Sequence, residues 1–337
     1  MHARYTMAIH IGVSGFLYGS WRSNFYPAGL AHRHELAWTS RTVGSIEING
    51  TFYSLKRPST FAAWKAAVPA GFPLALKGSR FITHMKRLRD VEVPLANFFA
   101  SGLLALGESL GPMLWQFPAQ MAFDPGRFRD FFALLPRDTR AAARLARKHD
   151  ARLDGRALTR ATARVPIRHA VEVRHASFFE RPFLDLLREQ NIALVVSDGA
   201  GRWQLVDEQT ADFAYVRLHG SAELYVSGYQ DDELDAWASR IARRHRALGR
   251  ARGSGGGERW QGDVFVYFDN DAKVHAPYDA LRLMERLGLS ASDEPRPAPR
   301  TPRPGKLTPA QRIARELEMV RAPLDWRGSA ARSGRAP

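Results

Sequence analysis

The chain has 337 residues, of which 45% are hydrophobic, so it can bury the core of one large α/β domain or two small ones. It contains no cysteine, which excludes disulfide bonds and thiolate zinc sites and removes one class of catalytic nucleophile. The N-terminal stretch lacks the apolar region and cleavage site of a secretory signal, and no segment approaches the roughly 18 apolar residues of a membrane span. We therefore expect a cytoplasmic protein that does not enter a membrane.

The net charge of +15 first suggests a nucleic-acid partner. Most of this charge lies in two segments, because residues 137–168 contain 10 Lys/Arg against 3 Asp/Glu and residues 290–337 contain 10 against 5. The rest of the chain is close to neutral. Nucleic acid is therefore a candidate partner only through these two basic segments.

Short apolar runs that predict β-strands recur along the chain, at 9–15, 45–53, 73–79, 111–118, 167–175, 192–199, 213–220 and 263–271. Helical patterns lie between most of them, at 32–41, 58–68, 124–135, 178–190, 231–248 and 277–288. Strand–helix alternation repeated eight times predicts an α/β protein with a closed (β/α)8 TIM-type barrel. A doubly wound open sheet is the alternative, but no GxGxxG motif follows the first strand.

We expect residues 1–289 to form this single barrel domain, with two insertions. A basic insertion at about 137–166 is predicted to be helical or partly mobile, and a glycine-rich segment at about 249–262 is predicted to be a surface loop. Residues 290–337 are rich in Pro and Arg and are expected to form a largely disordered tail. Within it, residues 308–320 have the pattern of one helix, so a docking or nucleic-acid-binding arm is the alternative.

Polar residues in the strands predict where a functional site lies. Barrel strands are buried on both faces, so a polar side chain on them needs a reason. Alternation assigns one set to the barrel interior: Glu47, Asn49, Thr51 and Tyr53; Lys77; Gln116; Glu172 and Arg174; Asp198; Tyr215, Arg217 and His219; Asp269 and Asp271. Most lie in the C-terminal half of their strand, so they should converge at the C-terminal mouth, where barrel enzymes place their active sites.

A purely structural alternative is a buried ion-pair plug, for example Glu47 with Arg174 and Glu172 with Arg217. Because buried ion pairs cost several kcal/mol of desolvation per ion, apolar layers would fill a barrel at lower cost. The pattern therefore favours a functional pocket over a plug.

The segments that follow the strands add further candidates. The loop at 15–27 is rich in aromatic residues, of which Tyr18 and Trp21 are expected to line the pocket. His84 follows the third strand beside Lys77, and His175 is expected to turn into the loop after the fifth strand. A histidine at these positions can exchange protons near neutral pH.

Seven segments together resemble the YecE-like family (domain of unknown function 72) over about residues 8–288. They are GVSGFLYGSWRSNFYP, EINGTFY, Lys77 to ITH84, LGPMLWQFP, EVRHASF, YVRLHG and YFDND. The resemblance implies a (β/α)8 barrel but brings no agreed activity. The chain departs from the usual family pattern at Gly50, Phe178 and Asp269, and the basic insertion and the tail lie outside the likeness.

The first functional hypothesis is an enzyme that uses metal-free acid/base chemistry on an anionic small molecule bearing phosphate or carboxylate. Glu47 or Glu172 would be the general base and His219 or Lys77 the acid. Arg174 and Arg217 would hold the anion, since a guanidinium pairs with it through two hydrogen bonds. Other residues expected to contact the substrate are Asn49, Tyr53, Tyr18, Trp21, His84, Gln116, His175, Asp269 and Asp271.

Two alternatives stay open. The second hypothesis is a nucleic-acid-binding or phosphodiester-processing protein, with Tyr18 and Trp21 stacking on bases and the basic segments following the backbone. A bound metal is the other alternative, because the inward acids and His219 offer oxygen and nitrogen ligands. No HxH or HExxH spacing supports a metal, and no cofactor is expected.

Overall fold

The structure, a computed structural model, describes residues 7–252 and 261–289. Eight parallel strands follow one another around a closed barrel, and the first strand pairs with the last. The strands are β1 Ile9–Ser14, β2 Ser45–Ile48, β3 Leu74–Lys77, β4 Leu110–Gln116, β5 His169–Glu172, β6 Ala193–Asp198, β7 Ala214–Leu218 and β8 Val264–Phe268. The prediction of an α/β chain with a (β/α)8 barrel is confirmed.

Helices flank the strands. They are α1 Glu35–Thr42, α2 Gly50–Tyr53, α3 Pro58–Ala67, α4 Glu92–Ala100, α5 Pro125–Leu134, α6 Thr139–Ala146, α7 Arg181–Glu189, α8 Asp231–Arg252 and α9 His275–Arg286. Short helical turns lie at Gly19–Trp21, His32–His34, Phe81–Met85, Leu103–Ser109, Ala151–Leu153 and Ala176–Phe179. None of the helices in the described ranges is long and apolar enough to cross a membrane.

Alternation along each strand divides the apolar residues into two cores. In β8, Val264, Val266 and Phe268 belong to the layer between strands and helices. Phe265 and Tyr267 belong to the smaller core inside the barrel. The polar members of the inward set lie beyond these residues, toward the carboxyl ends of the strands. The fold thus fills the lower barrel with side chains and leaves charged groups at its mouth.

The second apolar run is shorter as a strand than its alternation predicts. It ends at Ile48, and Gly50 begins α2. The inward assignment of Thr51 is therefore wrong, because its hydroxyl instead donates to the backbone carbonyls of Lys77 (2.7 Å) and Ile48 (3.0 Å). These two bonds tie the first turn of α2 to the ends of β2 and β3.

The assignment on β6 was wrong by one position. Ser197, not Asp198, points into the barrel, where its hydroxyl donates to Glu172 over 3.4 Å. Asp198 accepts a hydrogen bond from the hydroxyl of Tyr229 (3.0 Å) and another from the amide of Ala200 (3.3 Å). It therefore organises the adjoining loops.

The basic insertion contains α6, as its pattern predicts. Asp138 caps the helix by accepting from the amide of Ala141, and Ala142, Ala143 and Ala146 are buried beneath it. Further along, the amide of Leu158 donates to the carbonyl of Ala100 at 2.8 Å. The insertion is thus attached to the barrel through α4 and the segment after it.

Two predicted segments extend beyond what the structure describes. α8 continues to Arg252, so the first residues of the predicted glycine-rich loop are helical. Residues 253–260 and the predicted disordered tail at 290–337 lie outside the described residues.

Candidate active site

Arg217 is the centre of the charged group at the mouth. It lies on β7 with no exposed side-chain surface. Its guanidinium contacts three carboxylates: Glu47 at 2.9 Å, Glu172 at 2.6 Å and Asp269 at 2.9 Å. These acids come from β2, β5 and the end of β8. One planar group therefore connects strands from around the barrel, which explains why a buried arginine is tolerated here.

Glu47 is fully enclosed by donors. It accepts two bonds from Arg217, to Oε2 from Nε (3.1 Å) and to Oε1 from Nη2 (2.9 Å). Tyr215 donates to Oε2 at 2.6 Å, and Ser14 donates to Oε1 at 3.0 Å. This carboxylate therefore orients Arg217 and has no exposed surface for a ligand.

His219 lies between two of the acids. Its Nε2 is 3.3 Å from Glu172 Oε1, and its Nδ1 is 3.2 Å from Asp269 Oδ2. Gly220, with a φ of +113°, turns the chain immediately after it. A side chain there would meet the backbone oxygen of Glu223 at 2.6 Å. The tight turn thus helps to hold the imidazole in this position.

Glu172 and Asp269 are held in their ionised forms. Burial raises the pKa of Glu172, but Arg217, His219 and Arg174 together lower it to well below its usual value. Burial likewise raises the pKa of Asp269, and Arg217 and His219 reverse this effect and lower it. Both carboxylates are therefore negative near neutral pH.

Arg174 lies at the edge of this buried group. Its Nη2 donates to Glu172 Oε1 and to the hydroxyl of Tyr225, each at 3.3 Å. Its guanidinium lies 4.0 Å from the ring centre of Trp203, which is half-buried. Stacking restricts the plane of the guanidinium.

Lys77 ends β3 and is also near the acids, yet it makes no salt bridge among the described residues. Its ammonium lies 4.6 Å from the ring centre of Phe52. Burial and the neighbouring charge of Arg217 lower its pKa to about 8, although Glu47, Glu172 and Asp269 oppose the change. This amine exchanges its proton much closer to neutral pH than an ordinary lysine.

Several other predicted residues surround this position. Asn49, Tyr53, His84 and Gln116 are each half-buried. Burial raises the pKa of Tyr53 to about 12, so its phenol is neutral. His84 Nδ1 and the hydroxyl of Thr83 share a hydrogen bond of 2.8 Å. Asp271 is buried.

Three other predicted ligand contacts are engaged with the chain itself, and of these Tyr18 lies near the acids of the site. Trp21 is fully buried and packs 5.2 Å from Phe25 and 4.8 Å from Tyr18, ring centre to ring centre. A fully buried indole cannot stack on a ligand, so its assignment to the pocket is wrong. Tyr18 is buried and donates to the backbone carbonyl of Ser14. His175 turns into the loop, as expected, where its Nδ1 accepts from the amide of Ser177 at 3.2 Å.

Sequence reasoning missed Trp203 and Tyr225, both of which lie in loops without a strand pattern. A signal for Trp203 was present in the chain. A Cβ on Gly199 would lie 2.2 Å from its indole ring, so only glycine allows the ring to cover the backbone there.

The arrangement of the acids also bears on metal binding. The guanidinium of Arg217 lies between the three carboxylates, where a cation would otherwise be held. Within residues 7–252 and 261–289, no group of three or more His, Asp or Glu side chains has a metal-binding arrangement. Arg217 thus supplies the positive charge that these acids require.

A closed barrel of eight parallel strands flanked by helices belongs to the class of (β/α)8 TIM-type barrels. Residues 10–303 match the model of the family described as "Protein of unknown function DUF72". The chain belongs to the DUF72 family, for which YecE-like is an equivalent name, and the resemblance seen in the sequence is confirmed.

Solved structures of the same family share the fold. A DUF72 family protein of Thermotoga maritima is 22% identical, with a TM-score of 0.63, over 84% of this chain and 100% of that chain. A DUF72 family protein of Enterococcus faecalis is 15% identical, with a TM-score of 0.60, over 85% and 99%. No curated protein matches the chain.

Proposed function

We propose that the mouth of the barrel is the active site of an enzyme that acts on an anionic small molecule by acid/base chemistry without a bound metal. The observation that carries this proposal is that two cations, Arg174 and Lys77, lie beside the buried acids at the mouth. Arg174 is stacked and oriented by Trp203, and Lys77 makes no ion pair with the acids that act on its charge. Lys77 ends β3 and Arg174 follows β5, so a ligand anion at the mouth would be attracted by both cations.

His219 is the centre of proton transfer in this proposal. Its ring has no exposed surface and lies between the carboxylates of Glu172 and Asp269, so it would relay a proton through these acids without touching the substrate. Glu172 is the carboxylate partner in the reaction, acting through His219 because its own low pKa makes it a weak base. Lys77, with a pKa of about 8, is the second group suited to give up a proton.

The buried acids and Arg217 also resemble the structural plug considered above, since Glu172 does pair with Arg217. Glu47 pairs with Arg217 and not with Arg174 as that alternative supposed. A purely structural plug does not require Arg174 to stack on Trp203, and it does not require a buried Lys77 whose charged form is disfavoured. These two residues therefore favour a functional site over a structural plug.

The test compares Arg174→Met with Arg202→Met, an exposed arginine in the loop that carries Trp203. Thermal shift and calorimetry would measure binding of citrate, pyruvate and inorganic phosphate to the full chain. Loss of a charge-assisted bond of about 1.5–3 kcal/mol predicts that Arg174→Met weakens binding by roughly tenfold or more. Arg202→Met should leave it unchanged. Equal affinity in wild type and Arg174→Met would contradict the proposal.

A second function, binding of a nucleic-acid backbone, is favoured by the exposed side of α6. Arg140 and Arg144 on this helix and Arg147 directly after it are all exposed. They make no ion pair with any described residue. Positive side chains at this spacing suit a row of phosphates.

A further inference from the structure

We infer that Lys77 is a nucleophile that forms an imine with the carbonyl group of an oxo acid bound at the mouth. This inference rests on the proposed function and names its substrate class as a carbonyl compound that carries a carboxylate. It assigns to Lys77 a covalent role in place of simple proton donation.

The position of Lys77 suits this role. It is the last residue of β3, in register with Leu114 of β4, and its side chain is only 8% exposed. Its backbone is fixed on both sides, because its carbonyl accepts from Thr51 and the next amide, of Gly78, donates to Leu114 at 2.8 Å. A rigid strand end with an aromatic ring beneath the amine restricts where the amine can reach.

The surroundings also favour the neutral amine. An amine becomes a nucleophile when burial or a neighbouring cation disfavours its charge. Both causes act on Lys77, through its enclosure beside Phe52 and through Arg217. With a pKa of about 8, about one in ten of these amines is neutral at pH 7, against about one in three thousand for an ordinary lysine.

The neighbouring groups match the other half of an oxo acid. Arg174 offers its guanidinium to the carboxylate, held in place by Trp203. The mouth thus contains a cation for the carboxylate and an amine for the carbonyl carbon.

The chemical step is balanced without an external reagent. The lone pair of the Lys77 amine attacks the carbonyl carbon, so a C–N bond forms and the C=O π bond breaks to give a carbinolamine. The C–O bond then breaks, and the oxygen leaves as one water with the two hydrogens that the amine loses. The product is an imine, which becomes a cationic electron sink when it takes up a proton.

The experiment traps this imine by reduction. Full-length protein is incubated at pH 7 with glyoxylate and sodium cyanoborohydride, and peptide mass spectrometry locates the carboxymethyl groups that reduction leaves on lysine. The chain has seven lysines, so the other six are internal standards. We expect Lys77 to be modified faster than exposed Lys65 by roughly tenfold or more, reflecting its larger neutral fraction. Its rate should level off above about pH 8.

Two variants complete the design. Lys65→Met should retain the rapid modification, and Lys77→Met should lose it while the exposed lysines react as before. Because the map of the unaltered protein already identifies the modified residue, the test does not depend on the folding of Lys77→Met. Modification of Lys77 no faster than that of Lys65 would overturn the inference. If anion binding still depends on Arg174 in that case, the proposed function stands and only the covalent role of Lys77 is rejected.

Discussion

Glu172 shows how one residue serves both the stability and the chemistry of this barrel. It has no exposed surface, and it contacts Arg217 at 2.6 Å, His219 at 3.3 Å and Arg174 at 3.3 Å. A buried ion pair adds little net stability, but removal of one partner leaves an uncompensated charge. The residue therefore reports separately on folding and on function.

We predict that Glu172→Gln lowers the free energy of unfolding by about 3 kcal/mol, because Arg217 and Arg174 lose a shared negative partner. Urea unfolding measures this loss, and Glu180→Gln at an exposed position is the matched control. The variant should also bind anions more tightly, since the mouth becomes less negative. A less stable variant with no anion binding in either protein would favour the structural plug.

At this scale, the sequence allowed prediction of residues on clearly alternating strands. Each charged residue on these strands follows an apolar residue that faces the other side of the strand. The structure brings three of them together, namely Arg217, His219 and Glu172. The run IALVVSDG has no such alternation, so Ser197 could not be distinguished from Asp198. Trp21 was misassigned because aromatic richness in a loop does not separate a ligand contact from local packing.

Helix α6 divides its residues between packing and solvent. Alanines at 142, 143 and 146 allow close approach to the barrel, and the arginines occupy the remaining surface. The helix therefore displays a row of cations at helical spacing, independent of the tail at 290–337.

We predict that a protein lacking residues 290–337 still binds a single-stranded oligonucleotide and that joint Arg140, Arg144 and Arg147→Gln substitution weakens this binding. Each lost phosphate contact should reduce the slope of log affinity against log salt by about 0.7. Fluorescence anisotropy across a salt series measures the slope. Arg243, Arg246 and Arg250→Gln on exposed positions of α8 is the control. An equal loss in both variants, or no binding without the tail, would contradict a specific role for α6.

Element boundaries were less predictable than element order. EINGTFY alternates like a strand, but α2 begins at Gly50 because Thr51 finds backbone partners on β2 and β3. Such partners come from distant parts of the chain, so a local pattern does not show them. α8 ended four residues later than its pattern indicated, at Arg252.

For the whole molecule, the layer between the strands and the helices contains a titratable group that links folding to pH. His169, at the start of β5, is fully buried, accepts from Trp115 Nε1 at 3.1 Å and donates to the carbonyl of Pro136 at 2.9 Å. Burial and the charge of Arg137 lower its pKa to about 3. The folded state therefore requires the neutral ring.

Between pH 3 and 6.5 the unfolded chain binds more protons at His169 than the folded chain, so stability rises with pH across this interval. We predict that acidification from pH 6.5 to 4 costs about 3 kcal/mol through this residue. Glu172 and Asp269 have lowered pKa values and contribute in the same direction. Urea unfolding at several pH values measures the total.

A variant isolates the histidine. His169→Gln can still donate to Pro136, and its stability should change less with pH than that of the wild type. His34→Gln, at an exposed position, should keep the full dependence. Parallel pH profiles for wild type and His169→Gln would show that another group is responsible.

The charged mouth has a further consequence for the time over which the fold persists. Arg217 contacts Ser14 and Glu47, which lie 203 and 170 residues earlier in the chain. Contacts between such distant residues form only after long loops have closed, so they are expected to form late in folding. Interactions that are absent from the transition state slow unfolding without speeding folding. The buried guanidinium that organises the candidate site would therefore slow the unfolding of the closed barrel.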